Sequence, residues 1–311
     1  MASETESLAP PSARPHPVLA TAGYAVVYLA FAVAGGALVA SASGGPSALL
    51  TVLVTAVVSV STALSLLFVL QACRIPMGAG AEAMLLLPTT VIFLVMRPEV
   101  TVALAQWLHL SRGVQAGIAA LPTVPGQNLI GNLALIFWAV LIGRLVSRVI
   151  REGKLLLPVA VAASIADIIT VFWGFVGHAA ETAPGVVQAL SAQAPAVEVA
   201  KQAGAPVLTY IGIGDFLFLA IFLSVALRYG MNATGALWAA FVSMLVAAVV
   251  MGIWQPPGIP GLPFISAGVL LVNRRFLRFT AEEKRSLAVA GGLLVVVIAI
   301  VAVLLVSRHG G

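Results

Sequence analysis

The sequence predicts an all-α polytopic membrane protein, and three observations carry that prediction. Hydrophobic residues make up 61% of the chain and charged residues 9%, with a mean hydropathy of +1.09. No water-soluble globular domain tolerates such values. The apolar residues fall into runs comparable with the roughly 20 that a membrane helix needs, leaving room for about nine or ten spans and almost no soluble domain. Finally, the only two aspartates, Asp167 and Asp215, lie inside apolar runs, whereas the glutamates occupy tails, loops or run ends. The single cysteine, Cys73, excludes an internal disulfide and a cysteine-based metal site. A formal charge of +5 is read as a topology signal and not as a nucleic-acid surface.

Each element has its own justification. Residues 1–17 are polar and proline-rich, without a hydrophobic period, and read as a disordered tail unlike a typical signal peptide. A single membrane-embedded domain follows over 18–306, with a short tail at 307–311. Its first spans are 18–42 and 47–71, separated by Ser43-Gly44-Gly45-Pro46. A shorter run, 83–96, carries Pro88. Residues 100–121 are apolar enough to insert, yet Gln106, His109, Arg112 and Gln115 interrupt them, so a crossing and an interfacial helix both fit. Spans at 127–145, 155–176, 207–227 and 233–254 come next. The first opens on Gln127, Asn128 and Asn132, read as interhelical hydrogen-bonding groups. A Pro/Gly-rich stretch ending in Pro260-Gly261-Leu262-Pro263 precedes the run 264–272, and a charged loop over 273–285 leads to a last span, 287–306.

Counting 100–121 as a crossing puts Arg97, the Arg144–Lys154 cluster, Arg228 and the arginines and lysine of 274–285 on one side. The positive-inside rule makes that side cytoplasmic. If 100–121 does not cross, only the first three spans invert. The two aspartate helices keep their direction either way.

An ionisable group within a membrane helix costs a few kcal/mol even on lenient insertion scales, so its default reading is functional. Two carboxylates facing each other in a low-dielectric site hold one proton between them. The charged member then activates water while the protonated one polarises a carbonyl, which is the chemistry of aspartic proteolysis. Gly212 and Gly214, just before Asp215, remove side chains and loosen the helix, giving a substrate backbone room to approach. Pro260, Gly261, Leu262 and Pro263 form a second broken segment whose unpaired backbone groups suit an added strand. His178 and Glu181 lack a third partner for a metal.

The order of these pieces resembles the presenilin and signal peptide peptidase family of intramembrane aspartyl proteases. Gly212-Ile213-Gly214-Asp215-Phe216 is similar to the family's GxGD block, and Pro260-Gly261-Leu262-Pro263 to its Pro-Ala-Leu motif, with Gly261 in the alanine position. Where the family has Tyr-Asp in the first catalytic helix, this chain has Ala166-Asp167. The resemblance spans about 155–272. It implies a presenilin-like bundle with Asp167 and Asp215 as the catalytic pair, and Pro260, Gly261 and Leu262 shaping the substrate cleft. It also implies no cofactor or metal. The expected partners are the lipid bilayer and transmembrane-segment or signal-peptide substrates. The composition points to a multi-pass protein of a prokaryotic inner membrane.

Other readings compete. An ion-coupled transporter would also use midplane acids and broken helices, and an inactive relative would carry Ala166. Prepilin peptidases share GxGD but not the Pro-x-Leu-Pro partner. Zinc site-2 enzymes need His-Glu-x-x-His, which is absent. A rhomboid-like enzyme needs Gly-x-Ser-Gly, and Ala42-Ser43-Gly44 lacks the first glycine.

Overall fold

The computed structural model describes residues 16–42, 47–119, 127–172, 191–193, 210–254 and 259–285, with residues 288, 289 and 292. The terminal tails, His178, Glu181 and nearly all of the predicted span 287–306 lie outside the described residues. The described chain is predominantly helical. In order, it forms α1 (Pro17–Ser41), α2 (Ser47–Arg74), α3 (Ala79–Met96), α4 (Pro98–Trp107), α5 (Arg112–Ala119), α6 (Gln127–Ser147) and α7 (Leu156–Phe172). Two short strands follow, β1 (Ser191–Gln193) and β2 (Tyr210–Gly212), then α8 (Ile213–Arg228), α9 (Ala233–Trp254) and α10 (Leu262–Val272).

Five helices, α1, α2, α3, α6 and α7, are long and apolar enough to cross a membrane, and α9 and α10 contribute shorter apolar helices. Their outward faces carry Leu19, Val26, Met84, Leu87 and Val249, all exposed. Such surface would drive aggregation in water and suits lipid. At the centre stands α8, in which Phe216 and every residue from Leu219 to Ala226 are buried. A helix apolar on all sides belongs in the middle of a bundle. It packs on α6, α2, α9, α10 and α7. The α6 crossing is tight: a methyl group added at Gly143 would stand 2.6 Å from the Leu217 carbonyl oxygen and 2.8 Å from Ala220 Cβ. Small residues allow this kind of close approach between membrane helices.

Helices α3 and α6 run antiparallel, which fixes the ambiguous stretch between them. At one end Glu82 pairs with Arg144 and Arg148, each at 2.8 Å. At the other end Gln127 Nε2 donates to the Val95 carbonyl at 3.4 Å and Arg97 donates to Asn132 Oδ1 at 3.4 Å. The end of α3 and the start of α6 therefore share one end of the bundle. Between them lie only α4, of 10 residues, and α5, of 8, packed on each other and joined by a turn in which His109 adopts φ 54°. Neither is long enough to cross alone, at about 1.5 Å per residue. Residues 98–119 are a helical hairpin at one end of the bundle and not a crossing. Arg97 thereby moves to the end opposite Arg144, and Arg74 joins Arg144, which is the three-span inversion.

The basic end is tied together by polar contacts. Arg228 donates to the Ser147 carbonyl and hydroxyl, Tyr229 donates to the Ile150 carbonyl at 2.9 Å, and the Asn232 N–H donates to Asn273 Oδ1 at 2.8 Å. The start of α7, the end of α8 and the end of α10 thus gather at one level. Counting back from it at about 1.5 Å per residue, Asp167 stands about 17 Å from Leu156 and Asp215 about 20 Å from Arg228; Leu262 stands about 15 Å from Val272. That depth is near the middle of a hydrocarbon core about 30 Å thick.

Candidate active site

Asp215 is not in the middle of a helix. The chain is extended through Tyr210–Gly212, which pairs antiparallel with Ser191–Gln193 (Ser191 opposite Gly212), and α8 begins only at Ile213. The predicted span 207–227 thus starts with residues outside the description and a strand. Gly212 is the N-cap, with φ −61° and ψ 144°, and Asp215 lies in the first helical turn. Its carboxylate turns back toward the backbone N–H of Gly212, as an acid at the third helical position does toward the N-cap amide. The N-terminal end of the helix dipole favours an anion at this point. Asp215 is half-buried.

Asp167 projects from α7 and is also half-buried. Its Oδ2 accepts the backbone N–H of Leu262, the first residue of α10, at 2.9 Å, and the Gly261 N–H turns to the same carboxylate. Gly261, the N-cap of α10, has no side chain to satisfy the orphan amides of the first turn. Asp167 does so from another helix. Pro263 sits within the first turn, where a missing N–H costs nothing. The Pro-Gly-Leu-Pro string therefore starts a helix and presents that start to Asp167.

Asp215 meets the same glycine. A methyl group added at Gly261 would stand 3.0 Å from Asp215 Oδ1 and 3.4 Å from Oδ2. Asp167, Asp215, Gly261 and Leu262 are thus brought to one place. Pro260 is buried beside them and Pro263 half-buried. The glycines before Asp215 are not where the helices meet. Among the described residues, no neighbour lies within 4 Å of a methyl group added at Gly214, and at Gly212 the nearest is Asp215 itself, at 3.6 Å. Open space borders Gly214, and the close approach occurs at Gly261. Ala166, the residue before Asp167, is exposed.

Sequence reasoning missed the support behind Asp215. Arg97 is fully buried. It donates to the Ser191 carbonyl at 3.0 Å and to Asn132 Oδ1, and Asn132 in turn meets the Tyr28 hydroxyl. This polar chain joins α1, α6 and the α3–α4 junction to β1, the partner of the strand that leads into Asp215. The available signal was an arginine at the end of an apolar run with amides due to pack nearby. Among the three amides expected to bond between helices, Gln127 and Asn132 do so, and Asn128 is exposed. No known protein family, curated protein or solved structure matches the chain.

Proposed function

We propose that the protein is an intramembrane aspartyl protease of the presenilin and signal peptide peptidase kind. The observation that carries this reading is the meeting of its only two aspartates at Gly261 and Leu262. One carboxylate accepts the Leu262 N–H, and the other lies against Gly261. Transport would favour acids strung along an aqueous path, whereas one shared glycine favours a shared water.

In the reaction, the ionised carboxylate takes a proton from water as the water oxygen attacks the peptide carbonyl, and the protonated partner gives its proton to the carbonyl oxygen. The tetrahedral diol then breaks its C–N bond, with a proton passing to the leaving nitrogen. The pair titrates as a unit, so neither role belongs to one residue. A substrate must be extended to be cut. The ribbon of β1 and β2 offers a strand edge beside Asp215 to which an unwound transmembrane segment adds. Among the described residues nothing fills the space at Gly214, which leaves room for it, and Pro260 to Pro263 would border the substrate beside Asp167.

The positive-inside rule makes the basic end cytoplasmic. Five helices are long and apolar enough to cross; with 98–119 not crossing, the apolar runs 207–227, 233–254, 264–272 and 287–306 of the sequence would bring the proposed total to nine. Helix α7 then runs outward from the cytoplasm, the signal-peptide-peptidase sense, which favours substrates whose amino termini are cytoplasmic. The test is cleavage of a reporter transmembrane peptide by the purified protein in lipid vesicles. Asp167→Asn and Asp215→Asn should each abolish cleavage, and an aspartyl-protease transition-state analogue should bind the wild type. Undiminished cleavage by either variant would overturn the reading.

A further inference from the structure

At the basic end, about 20 Å along α8 from Asp215, residues of α2, α3, α6 and α8 line a cavity of about 390 Å³. That volume lies within the range of small-ligand pockets, about 300–1,000 Å³. Among the described residues, four guanidinium groups line it, those of Arg74, Arg144, Arg148 and Arg228, against one carboxylate, Glu82.

The arginines are not equivalent. Arg144 is buried and fully engaged, bonded to Glu82 and to the carbonyls of Ala72, Cys73 and Ile75. With Glu82, whose side chain is 1% exposed, it forms the neutral floor of the cavity. The other three stand exposed at the rim. Arg148 uses Nε on Glu82 and one terminal nitrogen on the Met77 carbonyl, leaving its second terminal nitrogen unengaged among the described residues. Arg228 spends both terminal nitrogens on Ser147, leaving Nε. Arg74 reaches Gln71 and Thr234 only at 3.5 Å, the outer limit of a hydrogen bond.

Three cations around one opening repel each other, and an anion with several oxygens relieves that repulsion. The guanidinium fork matches the geometry of phosphate. Basic pockets between helix ends at the cytoplasmic face are where acidic headgroups lodge.

We propose that this cavity binds a phosphate group, that of an anionic phospholipid headgroup or of a soluble phosphate. Arg74, Arg148 and Arg228 are its ligands, held by the Arg144–Glu82 floor. The site is independent of the proposed proteolysis.

The test is thermal unfolding of the purified full-length protein in a neutral detergent, titrated with phosphatidylglycerol, phosphatidylcholine or inorganic phosphate. A saturable rise in Tm with phosphatidylglycerol alone supports the site and names a lipid. The same rise with inorganic phosphate supports it and names a soluble anion. Arg74→Gln, a change at an exposed residue, should raise the half-saturating concentration severalfold, and Arg74→Lys should restore most of the affinity. Equal shifts with phosphatidylglycerol and phosphatidylcholine, no shift with any of the three, or an unchanged titration of Arg74→Gln would each overturn the proposal.

Discussion

Asp167 holds the start of α10 and also stands in the proposed catalytic pair, and two substitutions separate these roles. Asn keeps an oxygen that accepts the Leu262 N–H while removing the charge, so Asp167→Asn should unfold near the wild-type temperature yet cleave nothing. Asp167→Ala leaves that amide without a partner, at a cost of about 1–3 kcal/mol, so it should lose both activity and several degrees of Tm. Equal Tm values for the two variants would mean that the hydrogen bond holds nothing in place. Gly261 gives a second residue-scale prediction. A methyl group there would stand 3.0 Å from Asp215 Oδ1, which the carboxylate can accommodate by a small rotation. Gly261→Ala should therefore keep the fold and lower kcat severalfold. Gly261→Val, whose branched side chain fills the space between the acids, should abolish cleavage with little change in Tm. Cleavage by Gly261→Val at the wild-type rate would place the reacting water elsewhere.

At the scale of elements, the ribbon positions α8, and Arg97 positions the ribbon. Arg97→Met keeps the length and apolar stem of the side chain but removes the donors to Ser191 and Asn132. Amide exchange at residues 210–212 should speed up, and turnover should fall by an order of magnitude or more while the bundle stays folded. Unchanged exchange would detach Arg97 from the ribbon. The sequence made some of these elements legible and hid others for physical reasons. Helices α1, α2, α6 and α9 were visible to within a few residues, because run length and hydropathy are what the membrane selects. The meeting of Asp167, Asp215 and Gly261 was readable from the order of the motifs. The late start of α8 was not, because its cause is pairing with Ser191–Gln193, a three-residue partner distant in sequence. The break at residues 108–111 was only half legible: Gln106, His109, Arg112 and Gln115 marked an interrupted stretch, but hydropathy alone left a crossing and a non-crossing helix equally open. Arg97 was read only as a loop charge because nothing local distinguishes a buried arginine from a topogenic one.

The arrangement of the whole molecule follows from that hairpin. Were residues 98–119 a crossing, Arg97 and Gln127 would lie at opposite faces. Instead Gln127 bonds to the Val95 carbonyl, and Glu82 pairs with Arg144 and Arg148 at the other end. The α2–α3 connection must then share a face with the α6–α7 connection. Arg74 joins the basic face in this arrangement and Arg97 leaves it. Cysteine labelling can decide the point cleanly, because the one native thiol, Cys73, is buried. Gly78→Cys and Arg151→Cys should react with a membrane-impermeant maleimide from the same side of the membrane, and Ser111→Cys from the other. With 100–121 as a crossing, Gly78→Cys and Arg151→Cys would label from opposite sides. That pattern would also separate the acid–base clasp of Glu82 with Arg144 and Arg148 by the width of the bilayer, which no helix packing could reconcile.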